Sequence, residues 1–331
     1  MESRTKTEFT SETITKLVKS QFGSSAQIAQ ITPLTAGWFN SAYEIDFADK
    51  NPAAVLRIAP HPGQRVLTYE EEMMRKELLV YETIASAVDS GEVNLRIPRL
   101  LAADTSRTVI ERDFMFVEKF SGKPLEELKD QLSPEELQSI HQQIGIYTAA
   151  LHSLKNDTFG YFGNGPGSET GSWQEAFSAF VEALLDDGEA LGVALPLSYE
   201  KIRGLFEQYA PLLDEIKEPT LVHWDLWPVN IFIIKKNGNY EVEGTIDWER
   251  AYWGDPESEP AIANQHYGEA FYQGYGRELT AGENAAIRHK LYLIYLLLVM
   301  KIEAKVRFEN AEHLSWVQRE LTKELENLDQ R

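Results

Sequence analysis

The sequence predicts an α+β protein with two lobes, a five-stranded antiparallel N-terminal lobe and a mostly helical C-terminal lobe. Short runs of β-branched and aromatic residues, separated by turn residues, predict strands at positions 26–58 and again around 99–103 and 114–119. From position 133 onward, most segments carry apolar residues at helical spacing. The chain has 331 residues, which is enough for a buried core in each lobe. We therefore expect two domains, at residues 1–120 and 121–331.

Five strands and one inserted helix are expected in the N-terminal lobe, preceded by a short helix. The preceding helix covers Ser11–Phe22, with Ser11 as its N-cap. Three strands lie in AQIAQITPL, AYEIDF and AAVLRIA, and two more lie around residues 99–103 and 114–119. The inserted helix covers residues 69–88, where apolar positions recur among charged ones.

The C-terminal lobe opens with a strong helix start. Ser133 suits the N-cap, Pro134 suits the first position, and two acidic residues follow in the first turn. This helix runs to about Leu154, and a glycine-rich segment, GYFGNGPGSETGS, follows it. The apolar run at residues 291–300 is about half as long as a membrane span requires, so we expect a buried helix there. Further helices are predicted at residues 173–185, 198–216, 281–309 and 313–328, and strands at TLVHW, NIFII and YEVEGTIDW.

The charge balance argues against two classes of partner. Lys and Arg number 32 against 52 Asp and Glu, and the resulting net charge of −20 repels nucleic acid and membrane lipid. An acidic surface attracts metal ions and cationic small molecules, although solubility alone also explains much of the charge. The absence of Cys excludes disulfides, thiolate zinc sites and a Cys nucleophile. The first residues are polar and lack an apolar signal segment, so we expect a cytoplasmic protein, either a monomer or a homodimer.

The side chains that indicate the reaction begin in the segment LVHWDLWPVNIFI, at residues 221–233. A strand delivers His223 and Asp225, Asn230 follows in the same loop, and Asp247 ends a later strand. Phosphoryl transfer from a nucleotide needs such a set: one carboxylate orients the acceptor hydroxyl, and an amide oxygen and a second carboxylate hold Mg²⁺. We assign the catalytic base to Asp225 and the metal ligands to Asn230 and Asp247. His223 would bond backbone near Asp247 and fix the loop. A plain polar turn is the alternative when this segment is taken alone.

These motifs resemble those of the aminoglycoside phosphotransferase and choline kinase-like family, which has a protein-kinase-like fold. Residues 223–230 are similar to the family's H-x-D-x-x-x-x-N loop, and residues 247–249 are similar to its D-x-[DE] metal motif. Residues 151–154 and 253–256 also look like family segments, and Glu259 stands where the family usually has Asp. The resemblance implies a bilobal protein that transfers the γ-phosphate of ATP or GTP, with Mg²⁺, to a hydroxyl group of a small molecule.

The same resemblance implies nucleotide-binding residues in the N-terminal lobe, above a cleft between the lobes. The turn between the first two strands contains Gly37, Asn40 and Ser41. Glycine lets the backbone approach phosphate closely, and the two polar residues could donate hydrogen bonds to it. Without a G-x-G-x-x-G pattern, this turn taken alone is an ordinary hairpin. Backbone groups near Glu118 and Phe120 would bind the adenine edge at the hinge.

Arg57 departs from the pattern of the wider fold, which has Lys on the third strand. An Arg suits bidentate contact with phosphate, but its planar group sits differently from an ammonium group. Its expected partner is Glu77 on the inserted helix, with Glu70, Glu71 and Glu72 as alternatives.

The acceptor site is expected in the C-terminal lobe, where aromatic and acidic residues alternate after the metal motif. Aromatic faces and carboxylates together could hold an ammonium-bearing acceptor, such as an aminoglycoside or an amino alcohol. Ordinary helix packing explains the same aromatic spacing. The aromatic residues are Trp248, Tyr252, Trp253, Tyr267, Phe271, Tyr272 and Tyr275, and the acidic ones are Glu249, Asp255, Glu257, Glu259 and Glu269.

Two other functions remain open. A protein kinase has a phosphosite loop ending in A-P-E, but this chain continues from Asp247 directly into the W-G-D-P segment at residues 253–256. A non-catalytic nucleotide-binding or regulatory pseudokinase would suit Arg57 and the incomplete phosphate loop. All three polar residues of the catalytic loop are nevertheless present.

Overall fold

The computed structural model describes residues 5–35, 37–259, 267–307 and 310–331, and the chain divides into two compact units. The first unit consists of Met1–Val66, Ile97–Ser121 and Val306–Phe308, and the second consists of Leu67–Arg96, Gly122–Lys305 and Glu309–Arg331. The helix predicted at residues 69–88 belongs to the second unit. The domain bounds at residues 1–120 and 121–331 stay a prediction.

Five strands form the sheet of the first unit: β1 (Ile28–Leu34), β2 (Ser41–Phe47), β3 (Ala54–Ile58), β4 (Leu100–Asp104) and β5 (Phe114–Glu118). Their order is β1-β2-β3-β5-β4, and each neighbouring pair is antiparallel. Along β3, Ala54, Leu56 and Ile58 are buried and alternate with the half-buried Val55 and Arg57, as the two-residue period of a strand requires. The predicted five-stranded antiparallel sheet is confirmed.

Helix α1 (Ser11–Phe22) shares one core with this sheet. Apolar side chains at spacings of three and four residues lie on one face of the helix and join the buried residues of β2, β3 and β5. The N-cap is Thr10, whose hydroxyl accepts from the backbone N–H of Thr13 at 3.2 Å. The expected cap at Ser11 is therefore wrong by one residue, because the helix already includes Ser11. The buried residues of α1 are Ile14, Leu17 and Val18.

The second unit is mostly helical, as predicted. The N-cap of its helix at Pro134–Leu151 is the predicted Ser133, which accepts from the backbone N–H of Glu136 at 3.2 Å, while Glu136 accepts in return from Ser133 N at 2.9 Å. That helix ends at Leu151 rather than at Leu154. The described helices are α2 (Met73–Asp89), α3 (Leu125–Leu128), α4 (Pro134–Leu151), α5 (Trp173–Ala190), α6 (Tyr199–Tyr209), α7 (Gly268–Tyr275), α8 (Glu283–Arg307) and α9 (Ala311–Asp329).

The apolar run at residues 291–300 lies in the middle of α8, and most of its side chains are buried, as expected. It packs against aromatic residues of α5, where the ring centre of Phe177 is 5.2 Å from that of Tyr292 and 5.3 Å from that of Tyr295. Within the described ranges, none of the helices combines the length and the apolar content needed to cross a membrane.

Two small sheets hold the loop that carries Asp225. One contains β6 (Lys123–Pro124), β9 (Ile231–Lys236) and β10 (Asn239–Thr245) in the order β10-β9-β6. The other contains β7 (Gly160–Tyr161), β8 (Thr220–Val222) and β11 (Tyr252–Gly254) in the order β7-β11-β8. The loop at residues 223–230 thus runs from the end of β8 to the start of β9, and β10 leads to Asp247. Strand ends therefore position every predicted catalytic residue of this unit.

In the glycine-rich segment at residues 160–171, two glycines lie in close contact with backbone atoms. Gly160 has a φ of +113°, and a Cβ placed on it would lie 1.7 Å from the carbonyl oxygen of Gly167. Gly167 has a φ of +65°, and its Cβ would lie 2.5 Å from the carbonyl oxygen of Ala176 in α5. Both the positive φ and the close approach of backbone require glycine at these positions.

We expect Gly160→Ala to destabilise the folded chain by about 2–3 kcal/mol, because the added methyl group meets backbone rather than a mobile side chain. Urea unfolding followed by circular dichroism measures the effect. Gly171→Ala is the matched control, since nothing described lies within 4 Å of the added carbon and its φ is outside the left-handed region. Equal stability of the two variants would contradict this account.

Candidate active site

His223 ties the loop at residues 223–230 to the segment before Asp247. The residue is fully buried; its Nδ1 accepts from the backbone N–H of Asp225 at 3.2 Å, and its Nε2 donates to the carbonyl oxygen of Ile246 at 3.1 Å. Burial lowers the pKa of His223 to about 4, so the ring is neutral at neutral pH and carries its one proton on Nε2. This is the backbone contact near Asp247 that the sequence predicts.

The side-chain amide nitrogen of Asn230 forms hydrogen bonds within the loop at residues 223–230. Nδ2 donates to the carbonyl oxygen and to Oδ2 of Asp225, both at 2.9 Å. With the nitrogen committed in this way, the amide oxygen Oδ1 is the atom that a cation would contact. The backbone carbonyl of Asn230 accepts from Ile246 N at 3.0 Å. This bond brings Asp247, the next residue of the chain, close to Asn230.

Asp247 follows β10 in the left-handed conformation, with a φ of 68° and a ψ of 61°. Asp and Asn adopt this conformation more readily than most residues, because their short polar side chains can bond locally. In the next residue, the backbone N–H of Trp248 donates to Oε1 of Glu77 at 3.2 Å, and Glu77 is fully buried. Glu77 of α2 therefore contacts the residue that follows Asp247, and the choice among Glu77, Glu70, Glu71 and Glu72 as the partner of Arg57 stays a prediction.

Asp225 lies among charges of both signs. Its pKa is raised to about 6; burial is the largest cause, and the carboxylates of Asp247 and Glu303 act in the same direction. Arg250 and the hydrogen bond from Asn230 oppose them. A carboxylate with a pKa near neutrality can both accept a proton and release it. The structure thus brings Asp225, Asn230 and Asp247 together.

Arg250 and Glu303 belong to the same group of charges but are not expected from the sequence. The guanidinium of Arg250 lies 5.7 Å from the ring centre of Trp224 and 5.9 Å from that of Tyr69, and it forms a 2.9 Å ion pair with Glu303. Tyr69 donates to the same carboxylate at 3.2 Å. The sequence does contain a clue to each residue: Arg250 interrupts an aromatic stretch, and Glu303 is an acid in a largely apolar helix.

The oxygen donors suit Mg²⁺ that is bound together with a nucleotide. Asn230 and Asp247 could supply two hard oxygen ligands, and Mg²⁺ commonly takes its other ligands from phosphate and water. Among the residues that the structure describes, no group of three or more His, Asp or Glu side chains is arranged to hold a metal ion. The chemistry of these two side chains fits a cation that takes its remaining ligands from phosphate and water.

The turn predicted to cover nucleotide phosphate lies in the first unit. Gly37 has a φ of +85°, which explains glycine there, and Asn40 is buried. The hydroxyl of Ser41 accepts from Thr7 N at 2.9 Å and donates to Thr7 O at 2.7 Å. Because Thr7 takes the hydroxyl proton, a phosphate contact of Ser41 would have to use its backbone. The roles of these residues stay predictions.

The other predicted nucleotide-binding residues of this unit lie on or just after the central strands. Arg57 is half-buried on β3, on the face opposite the core residues of that strand. The backbone N–H of Glu118 donates to Arg99 O at 2.8 Å, and the Glu118 carboxylate accepts from Arg99 Nε at 3.3 Å. Phe120 is buried. Contacts of Glu118 and Phe120 with adenine, and the pairing of Arg57 with Glu77, stay predictions.

The aromatic residues expected at an acceptor site are core residues in this structure. Tyr267, Phe271 and Tyr275 form one buried cluster, in which the Phe271 ring centre is 5.9 Å from that of Tyr267 and 5.5 Å from that of Tyr275. The Glu257 carboxylate is also engaged, because it accepts from Arg277 at 2.7 Å. Helix packing, the alternative explanation of this spacing, therefore accounts for these residues.

Glu259 supports the backbone beside Asp225. Its Oε2 accepts from the backbone N–H of Trp224 at 2.8 Å, and Trp224 has a left-handed φ of 63°, which is unusual for a large residue. Glu259 is fully buried, and burial raises its pKa to about 8. Tyr267 donates to the carbonyl oxygen of Leu226 at 2.7 Å in the same loop. Glu259 thus holds the strained residue that precedes the predicted base.

We expect Glu259→Gln to become more stable relative to the wild type as pH rises from about 6 to 8. The Glu259 pKa is about 8 in the folded chain and about 4.3 in an unfolded one, so the folded state binds this proton more tightly. Its stabilising contribution is complete at low pH and is lost as pH rises through the folded value. Thermal and urea unfolding should show a relative change on the order of 2 kcal/mol. The pH-dependent contributions of all other titratable groups are common to the two proteins and cancel in the difference. Glu200→Gln, at an exposed position, is the control.

Residues 30–290 match the family described as the phosphotransferase enzyme family. A curated relative, the chloroplastic protein-ribulosamine 3-kinase of Arabidopsis thaliana, is 32% identical over 99 residues, which are 29% of this chain and 29% of that protein. The chain thus matches less than a third of the length of this relative.

Solved structures with high similarity cover nearly the whole chain. The crystal structure of the aminoglycoside phosphotransferase APH(4)-Ia has a TM-score of 0.66 at 19% identity, over 96% of this chain and 99% of that one. The ternary complex of streptomycin, ATP and APH(2")-IIa has a TM-score of 0.60 at 15% identity, over 96% of this chain and 97% of that one. At these identities the likeness shows the fold, and it confirms the predicted protein-kinase-like class.

Proposed function

Because the chain belongs to the phosphotransferase enzyme family, we propose that it transfers the γ-phosphoryl group of a nucleoside triphosphate to a hydroxyl group of a small molecule. The observation that carries this proposal is the convergence of Asp225, Asn230 and Asp247. Asn230 bonds the Asp225 carboxylate at 2.9 Å, and its carbonyl receives the N–H of the residue before Asp247 at 3.0 Å.

Asp225 orients and deprotonates the acceptor in this proposal. Its Oδ2 is held by Asn230, which leaves Oδ1 for the acceptor hydroxyl. As the new bond forms between the acceptor oxygen and the γ-phosphorus, the bond from phosphorus to the bridging oxygen breaks, and the nucleoside diphosphate leaves. Asp225 takes the hydroxyl proton, and the neutral His223 keeps Asp225 in place by accepting its backbone N–H.

Asn230 and Asp247 would hold Mg²⁺, which neutralises charge on the transferred phosphoryl group when it is bound. The spacing of the two ligand residues is fixed by backbone. Ile246 donates to the Asn230 carbonyl, and the left-handed turn at Asp247 then turns the chain toward α2.

We propose a hydroxylated amine as the acceptor. The charged groups that interact around the reacting position are three carboxylates and one guanidinium. The carboxylates are those of Asp225, Asp247 and Glu303, and the guanidinium is that of Arg250. This excess of negative charge favours a cationic acceptor. The relatives that are named for ribulosamine and solved with streptomycin support the same class, since both of those compounds carry amino and hydroxyl groups.

A phosphotransfer screen with γ-labelled ATP or GTP and Mg²⁺ tests this function. The acceptor panel contains a ketosamine, an aminoglycoside, an amino alcohol and a neutral sugar. We expect labelled product with at least one hydroxylated amine and little with the neutral sugar. If Mg-nucleotide raises the unfolding temperature but no acceptor is labelled, the non-catalytic pseudokinase is the better assignment. Product from the neutral sugar alone would retain the transferase and reject the cationic acceptor.

A further inference from the structure

Lys76 is a buried cation that the proposed mechanism does not use. The residue is 5% exposed, and burial lowers the pKa of Lys76 to about 8, although the charges of Glu71 and Glu72 act in the opposite direction. Its ammonium group donates to the carbonyl oxygen of Tyr69 at 3.0 Å and lies 5.7 Å from the ring centre of Tyr161. An ammonium group has three N–H donors. In the described parts of the chain, Lys76 has this one acceptor and no ion pair.

The glycine-rich segment at residues 160–171 lies against this lysine. A Cβ on Gly163 would be 4.0 Å from Lys76 Cγ, and a Cβ on Gly165 would be 3.0 Å from Lys76 Nζ and 3.6 Å from Ser168 Oγ. The Ser168 hydroxyl is buried and has no hydrogen-bond partner among the described residues. Because residue 165 is glycine, it places no side-chain atom against the ammonium group or the hydroxyl group.

We propose that Lys76 and Ser168 form a binding site for a small anionic group, a carboxylate or a phosphate, in the space beside Gly165. A buried charge is costly unless it is paired, and an anion would supply the counter-ion and the missing acceptors. It would also accept from the Ser168 hydroxyl, since buried polar groups are rarely left without a partner. The segment is exposed at residues 163–165, directly beside the buried ammonium and hydroxyl groups.

The anionic group has two possible sources with the same chemistry. It belongs either to a phosphoryl acceptor that carries an anionic group in addition to its amine, or to a free anion such as inorganic phosphate. The site itself does not rest on the proposed function, because occupancy of Lys76 can be measured without turnover. Only the assignment of the source uses phosphotransfer kinetics.

Trace acylation of the full-length chain, read by peptide mass spectrometry, measures occupancy at Lys76. Inorganic phosphate or acetate is titrated at constant ionic strength and pH, and the exposed Lys217 is the internal reference. We expect phosphate to slow acylation of Lys76 saturably, by about tenfold, and to leave Lys217 unchanged, because a charge-assisted hydrogen bond shields the amine. An acylation rate of Lys76 that neither anion changes would overturn the proposal.

Three substitutions make this test specific to the site. Gly165→Ala places a methyl group against the ammonium and hydroxyl groups and should abolish protection, and only the mobile end of Lys76 must yield to the methyl group. Gly171→Ala adds a methyl group in open space of the same segment and should leave protection intact. Ser168→Ala should raise the half-protecting phosphate concentration several-fold. Protection that survives Gly165→Ala would assign the effect to another site and reject this one.

Kinetics of Lys76→Met then identify the source of the anion. If the acceptor supplies it, KM should rise about tenfold for acceptors with a carboxylate or phosphate and stay unchanged for those without one. If Lys76→Met leaves KM unchanged for acceptors with and without an anionic group, while phosphate still protects Lys76 of the wild type from acylation, the ligand is a free anion. A failed acceptor screen would reject the proposed function and leave the acylation result standing.

Discussion

Asp225→Asn is expected to lower kcat for phosphotransfer about a thousandfold and to change nucleotide affinity by no more than about twofold. The substitution removes the negative charge and the proton acceptor but keeps the size of the side chain. The amide oxygen of Asn can still accept from Asn230 Nδ2, so the loop should keep its shape. Steady-state kinetics and calorimetric titration of nucleotide separate the two effects.

Asp157→Asn is the control for this variant, because Asp157 is an exposed residue of the same unit, outside the catalytic loop. It should retain full kcat. If Asp225→Asn turned over at the wild-type rate, Asp225 would not be the base, and the proposed function would lose its central residue. A parallel loss of nucleotide binding would instead indicate that the loop had unfolded.

Asp247→Asn should weaken nucleotide binding in the presence of Mg²⁺ by about a hundredfold or more, and change it little in EDTA. The carboxylate is one of two proposed protein ligands of the cation, and an amide is a weaker one. Asn is the informative substitution, because Asp247 has a left-handed backbone that Asn tolerates and Ala does not. Calorimetric titrations with and without Mg²⁺ give the two affinities.

Asn230→Asp provides the comparison for that experiment. It keeps an oxygen ligand but replaces the Nδ2 donor with an oxygen that repels the Asp225 carboxylate. We expect it to retain Mg-dependent nucleotide binding and to lose turnover. Unchanged Mg-dependent affinity in Asp247→Asn would remove Asp247 from the metal site.

The sheet and the main helices could be predicted because their patterns are local. The alternation of buried and half-buried residues along β3, and the capping residue of α4, are visible in a few neighbouring positions. The first and last residues of a helix are harder to predict from the sequence. Thr10 and Ser11 are both good caps, and only the path of the backbone selects Thr10. Leu151 ends α4 although the residues after it carry no strong stop signal.

The candidate catalytic loop could be located in the sequence because phosphoryl transfer needs particular side chains at particular spacings, and His223, Asp225 and Asn230 lie within one short segment. Arg250 and Glu303 could not, since they are 53 residues apart in the chain and meet only through the packing of α8. Ser41 illustrates a further limit. Its hydroxyl is taken by Thr7, a residue from another segment, which no local pattern reveals.

The succession of strands and helices, and the choice of residues proposed for phosphoryl transfer, follow from patterns that span a few neighbouring positions of the chain. The folded chain alone shows which charges surround Asp225, which glutamate of α2 contacts the residue after Asp247, and that Lys76 lies buried beside Gly165 and Ser168. These are contacts between distant segments. Desolvation and Coulomb interactions depend on distance through space, and folding alone sets that distance.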